Sequence, residues 1–190
     1  MFHRLRSGMP RRTLLIVLGA LAAAALMAST ASATSPHFKH GGTPVCTFSG
    51  TTSISVSCTG TLAGLGNQDL LLRLSASGFA VYQCQNGGGN IAPGQNRVLV
   101  GPATSDTAIP ADAIKNGNLT FTTNPAVLAA ATTVSAAVAG CPNDNWTGVN
   151  PALTLTDISL LIEQPPGTVI FTCTASSSSG LKSPVTLTCV

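Results

Sequence analysis

Ser53-Ile54-Ser55-Val56-Ser57-Cys58 alternates a hydroxyl side chain with an apolar one, residue by residue. A period of two puts Ile54, Val56 and Cys58 on one face of an extended chain and the three serines on the other, the pattern of a β-strand with one buried face. Comparable runs recur downstream, rich in β-branched residues and bounded by Gly, Pro, Asn and Ser. Residues 69–76 (DLLLRLSA) and 79–84 (FAVYQC) flank Ser77-Gly78 and predict a two-residue hairpin. Residues 85–96 (QNGGGNIAPGQN) predict a long turn-rich loop, with Pro93-Gly94 at the centre of a type II turn. Strands follow at 97–100 and 119–123 (LTFTT), the latter stopped by Asn124-Pro125. Residues 152–163 (ALTLTDISLLIE) and 168–174 (TVIFTCT) flank Pro165-Pro166-Gly167, a second hairpin.

One segment is ambiguous. In 126–139 (AVLAAATTVSAAVA), Val127, Ala131, Val134 and Val138 fall at helical spacing, whereas Thr132-Thr133-Val134-Ser135 favours an extended chain; extended or irregular structure is the expectation. With no convincing crossover helix, a parallel α/β fold is disfavoured. The expected fold is all-β: an antiparallel Greek-key, immunoglobulin-like sandwich of about eight or nine short strands.

Six cysteines add staples: Cys46, Cys58, Cys84, Cys141, Cys173 and Cys189. Six allow 15 pairings. Cys46–Cys58 and Cys173–Cys189 each enclose a strand, a Ser/Gly turn and a returning strand, and both intervals open C-T-x-S. Bridging each of these leaves Cys84–Cys141. There is no C-x-x-C and no histidine beyond His40, so a metal centre is not expected.

The cysteines fit an oxidising address, and the N-terminus supplies one. Arg4, Arg6, Arg11 and Arg12 precede an uncharged apolar run from Leu14 to Met27, and Ala31-Ser32-Ala33 follows as an A-x-A cleavage signal. Residues 1–33 read as a cleaved export signal peptide, 34–43 (TSPHFKHGGT) as a flexible arm, and 44–190 as a single domain. Arg11-Arg12 leaves Sec and twin-arginine export both open. The expected product is secreted and monomeric, with no membrane association after cleavage: no later run reaches transmembrane length, no C-terminal anchor is visible, and Cys46 lies too far from the cleavage site for a lipidated N-terminus.

The leader also distorts the charge. The whole chain carries a net +3. Beyond residue 33, Lys39, Arg73, Arg97, Lys115 and Lys182 face Asp69, Asp106, Asp112, Asp144, Asp157 and Glu163, five cations against six anions and a net of −1. Such a chain has no basic footprint for nucleic acid or for an anionic membrane surface.

Motifs that carry chemistry are sparse. Ser179-Gly180-Leu181-Lys182 matches S-x-x-K but lacks its companion motifs and sits in a Ser/Gly turn. A serine triad would need His37 or His40 on the expected arm. Asn143-x-Asn145-x-Thr147-Gly148 resembles the front of a calcium loop, but Asn143 and Thr154 stand where two charged ligands belong. Gly87-Gly88-Gly89 precedes no lysine or helix, so phosphate cradling is not expected. His37-x-x-His40 has too few ligands for a structural metal site. Asp144 beside Trp146 is the best pairing for a sugar, since an aromatic ring can stack on one. No catalytic residue, cofactor or metal is assigned.

Asn90-Ile91-Ala92-Pro93-Gly94-Gln95-Asn96 together with Gly140-Cys141-Pro142-Asn143-Asp144-Asn145-Trp146-Thr147 resembles a group of uncharacterised secreted actinobacterial proteins over about 44–174, a resemblance that implies no activity. Ala80-Val81-Tyr82-Gln83-Cys84 followed by Gly87-Gly88 is similar to the neocarzinostatin-type chromophore-binding apoproteins, small exported sandwiches. The present chain departs from them in length, cysteine spacing and cysteine number, and no binding residue carries over. The functional expectation is a secreted, non-enzymatic sandwich that binds an extracellular glycan, protein or small molecule through the loops 85–96 and 142–148, using Asn86, Asn90, Gln95, Asn96, Asp144 and Trp146. The alternatives are a chromophore-type small-molecule carrier or a two-carboxylate hydrolase.

Overall fold

A chain that alternates apolar and hydroxyl side chains buries one face only when two sheets meet face to face. The computed structural model describes residues 35–190, so the expected leader and its cleavage site lie outside the described residues. The elements are β1 (His37–Phe38), β2 (Val45–Ser49), β3 (Ser53–Ala63), β4 (Leu70–Asn86), β5 (Ile91–Ile109), β6 (Leu119–Thr122), β7 (Ala126–Ala129), β8 (Val134–Ser135), α1 (Ala136–Ala139), β9 (Trp146–Glu163), β10 (Val169–Ser176), β11 (Val185–Thr186) and β12 (Thr188–Cys189). They form two antiparallel sheets, an all-β sandwich. In the smaller sheet β3 is central: β1 and β2 lie along one side with β11 beyond β2, and β6 and β7 lie along the other. The larger sheet runs β12-β10-β9-β4-β5, with β8 on β9. Ile54, Val56, Cys58 and Leu62 of β3 meet Leu70, Leu72, Leu74 and Tyr82 of β4 and Leu155, Ile158, Leu160 and Ile162 of β9 in one buried core.

The strands are longer than expected, because the Ser77-Gly78 hairpin does not form. β4 runs 17 residues through that position. Leu70, Leu72, Leu74, Ala76, Gly78, Ala80, Tyr82 and Cys84 all face inward, so the parity never breaks. Irregularity falls on the neighbours instead. β9 carries an extra residue opposite Ser77/Gly78, and β5 carries one opposite Ala76/Gly78. Gly78 is there for space: a Cβ would lie 2.1 Å from the Thr154 carbonyl oxygen of β9.

Pro93-Gly94 is likewise no turn. Both residues lie within β5, a 19-residue strand, and the chain reverses at Gly87–Asn90 instead. A Cβ at Gly94 would meet the carbonyl oxygens of Tyr82 at 2.6 Å and Ala139 at 2.7 Å. The segment 126–139 divides. Ala126 and Leu128 are buried in β7 while Val127 is exposed, a period of two, and only Ala136–Ala139 is helical. The Ser135 hydroxyl caps that single turn by accepting the Val138 N–H.

Cys173–Cys189 does not enclose a simple hairpin. After β10 the chain crosses to pair β11 with β2 in the other sheet, then returns as β12 beside β10, with Leu187 buried at the crossing. Within the segment expected as an arm, His37–Phe38 pairs with Leu62–Ala63, and the Phe38 ring centroid lies 4.6 Å from that of Phe171.

Three bridges close the fold: Cys46–Cys58, Cys84–Cys141 and Cys173–Cys189. The first and third join residues directly opposite across paired strands. The second ties β4 to the chain just after α1 across 57 residues. Confining a loop of that length in the unfolded chain stabilises the native state by about 4 kcal/mol, so Cys84→Ser/Cys141→Ser is expected to lose stability of that order in urea titrations. Gly78→Ala is expected to cost about 1–3 kcal/mol by forcing β9 away; a neutral result would contradict the close approach.

Candidate functional site

The loop residues expected to bind ligand are largely engaged with their own backbone. Asn86 and Trp146 are register partners at the ends of β4 and β9. The Asn86 side-chain oxygen accepts the N–H groups of Gly88 at 3.0 Å and Asn90 at 2.9 Å, which shapes the β4–β5 turn. Asp144 is exposed in the turn before Trp146, where the Asn143 side chain accepts the Asn145 N–H at 3.0 Å. The structure thus gathers Asn86, Asn90, Asp144 and Trp146 at one end of the larger sheet, with Trp146 half-buried against the core. Gln95 and Asn96 lie apart from them on β5. The Gln95 amide donates to the Pro93 carbonyl at 3.3 Å, and the Asn96 amide donates to the carbonyls of Ala137 and Val138, each at 3.2 Å, closing the end of α1.

A different surface collects unspent polar groups. The inward parity of β4 sends Arg73, Ser75, Ser77 and Phe79 outward, and strand register decides what stands beside them. Ser75 pairs with Thr104 of β5 on one side and Ser159 of β9 on the other; Ser159 pairs with Thr174 of β10, and Thr174 with Thr188 of β12. Five hydroxyl side chains therefore form one row across five strands, roughly 19 Å at the usual strand spacing. The next row holds Ser77, Asp157 and Ser176.

Three shallow depressions follow these rows. One of about 360 Å³ is lined by Ser75, Ser77, Asp157, Ser159, Thr174 and Ser176. A second, of about 480 Å³, shares Asp157 and Ser176 with it and extends to Phe79, Arg97 and Leu99. A third, of about 360 Å³, shares Ser75 and Ser159 and extends to Arg73, Thr104 and Asp106. Together they make an open groove on the outer face of the larger sheet.

Its two ends differ electrostatically. At one end Arg73 is neutralised twice, by Glu163 at 2.9 Å and Asp106 at 3.2 Å. The Glu163 side chain is only 7% exposed, and its second oxygen accepts the Gly167 N–H at 2.6 Å. That backbone N–H, and then Arg73, hold the Glu163 carboxyl below the ordinary glutamate range despite the opposing push of burial. At the other end the Arg97 guanidinium lies 4.3 Å from the centre of the Phe79 ring and donates to the Ser178 carbonyl at 3.3 Å.

The groove offers hydroxyl donors and acceptors and the Asp157 carboxylate. His37 and His40 belong to the β1 region of the other sheet. Among the described residues, no group of three or more His, Cys, Asp or Glu side chains is placed to hold a metal ion. Sequence reading missed Ser75, Thr104, Ser159, Thr174 and Thr188 as a set. The outward Ser/Thr positions of β4 and β9 were visible, but the register that aligns them was not.

Because its pKa is lowered on folding, Glu163 stabilises the protein above the ordinary glutamate pKa, and that contribution is lost as pH falls through the lowered value. The urea midpoint of Glu163→Gln is expected to lie well below that of the native protein at pH 7, with the gap closing below about pH 4. A gap that does not change with pH would contradict the assignment.

No family model, curated protein or solved structure matches this chain, so the chemistry of the outer face rests on its own residues.

Proposed function

We propose that the protein is a secreted, non-enzymatic binding module whose outer sheet face, running from Arg73 to Phe79 on β4, engages an extracellular glycan. The observation that carries this reading is the hydroxyl row Thr104–Ser75–Ser159–Thr174–Thr188, held by the register of five strands, whose first four members line the depressions. A glycan presents the matching chemistry, with hydroxyls that donate and accept in turn. The near-neutral mature chain favours such a partner over a polyanion. A carrier with a cleft between the sheets is less well supported, since Tyr82 and the β4 and β9 leucines fill that space and the described depressions lie outside it.

Side-chain hydroxyl contacts contribute about 1 kcal/mol each. Five of them correspond to a dissociation constant of about 0.2 mM before ordering costs are met, and a weaker one after. Affinity of that size becomes useful on a repetitive polymer or a surface, where several modules act together.

NMR titration of the ¹⁵N-labelled mature protein with a panel of neutral oligosaccharides tests this. The expected shifts lie on the outward residues of β4, β9 and β10, and Ser75→Val/Ser159→Val weakens binding at least fivefold while Trp146→Ala leaves it unchanged. Shifts confined to loops 85–96 and 142–148, with binding lost on Trp146→Ala, would move the site to the loops.

A further inference from the structure

The depression at the Phe79 end has one feature that hydroxyl recognition alone leaves unused. Arg97 is exposed, and among the described residues no carboxylate lies within ion-pairing distance of it; both ion pairs of the described chain belong to Arg73. Arg97 is nevertheless held. Its guanidinium carbon lies over the Phe79 ring, 4.3 Å from the centroid, and one terminal nitrogen donates to the Ser178 carbonyl at 3.3 Å. A planar cation pinned in this way has lost much of its rotamer freedom before any ligand arrives, and it keeps further N–H donors on its edge.

The lining of the same depression also includes a carboxylate. Asp157 accepts the Thr156 hydroxyl through one oxygen at 2.6 Å, and its carboxylate lines the groove beside Ser176. On β4 the register partners of Arg97 and Asp157 are Val81 and Ser77, four residues apart, or roughly 13 Å of strand. Leu99, beside Phe79, is 88% exposed and gives the floor an apolar stretch. Guanidinium edge, apolar floor and hydroxyl-accepting carboxylate therefore succeed one another along the groove.

We infer that this depression is a subsite for a carboxylate-bearing sugar residue: Arg97, positioned by Phe79 and Ser178, receives the carboxylate, while Asp157 and Ser176 receive ring hydroxyls. The inference rests on the glycan reading of this face and adds the class of sugar. Fork-shaped pairing of guanidinium with carboxylate selects an acidic residue over its neutral counterpart. The orientation follows from charge, with the carboxylate away from Asp157.

The probes are methyl β-D-glucuronide and methyl β-D-glucoside, which differ only at C6, titrated into the ¹⁵N-labelled mature protein. The glucuronide is expected to bind roughly three- to tenfold tighter, an advantage that falls as salt rises. Arg97→Gln removes the advantage, bringing glucuronide affinity down to that of the glucoside measured on the same variant. Arg97→Lys keeps the charge but loses the fork, and Phe79→Leu frees the guanidinium; each retains only part of the advantage. Native-like amide spectra establish that the variants fold. Equal affinity of the native protein for both probes, or an advantage that survives Arg97→Gln, would overturn the subsite and leave the glycan reading standing. Binding of neither probe, together with none in the oligosaccharide panel, would overturn both.

Discussion

Everything in the larger sheet is referred to the unbroken alternation of β4. Eight successive even-numbered residues, Leu70 to Cys84, point into the core, and reversing the parity at any of them would expose the remainder. Such a strand cannot carry a bulge of its own without turning its apolar face to water. The twist and stagger of a long sheet are therefore absorbed by β5 and β9, which take the extra residues on either side. Gly78 is the point where this arrangement is tightest, because there β9 presses its backbone against β4.

The rest of the molecule reads as fastening around that strand. Cys84 at its far end is bridged to Cys141, just past α1, so the irregular stretch between β7 and β9 is tied to the sheet. Tyr82, one inward step earlier and 2% exposed, sends its hydroxyl to the Ala131 carbonyl at 2.8 Å, holding the same stretch by a second route. The Cys46–Cys58 and Cys173–Cys189 bridges reinforce pairs in different sheets, and the crossing through β11 brings the last strand back to the edge of the larger one.

Fold class was legible because period-two patterning is local: Ser53 to Cys58 shows it within six residues. The hairpin at Pro165-Pro166-Gly167 was legible for the same reason, as β9 and β10 flank it. Two glycines misled, and for one physical cause. A glycine that admits a neighbouring backbone and a glycine that turns the chain look alike in sequence, and Gly78 and Gly94 are of the first kind. The unbroken parity across Ser77-Gly78 was the signal that separated them. The helical spacing of Val127, Ala131, Val134 and Val138 was outweighed by pairing of β7 with β3, which buries Ala126 and Leu128 and leaves Val127 exposed.

The candidate site was less legible because it belongs to register rather than to any motif. Asn and Gln in loops attract attention as ligand contacts, yet Asn86 and Asn96 spend their amides on nearby carbonyls and N–H groups. Serines scattered over β4, β9 and β10 look like ordinary outward filler until pairing aligns Ser75, Ser159 and Thr174. Arginines show the same dependence. Arg73 and Arg97 both point outward from neighbouring strands of one sheet, but register sets the first between two carboxylates and the second over a phenyl ring. Neutralised, Arg73 braces the sheet; Arg97, with no carboxylate in ion-pairing range among the described residues, is held instead by the Phe79 ring and the Ser178 carbonyl.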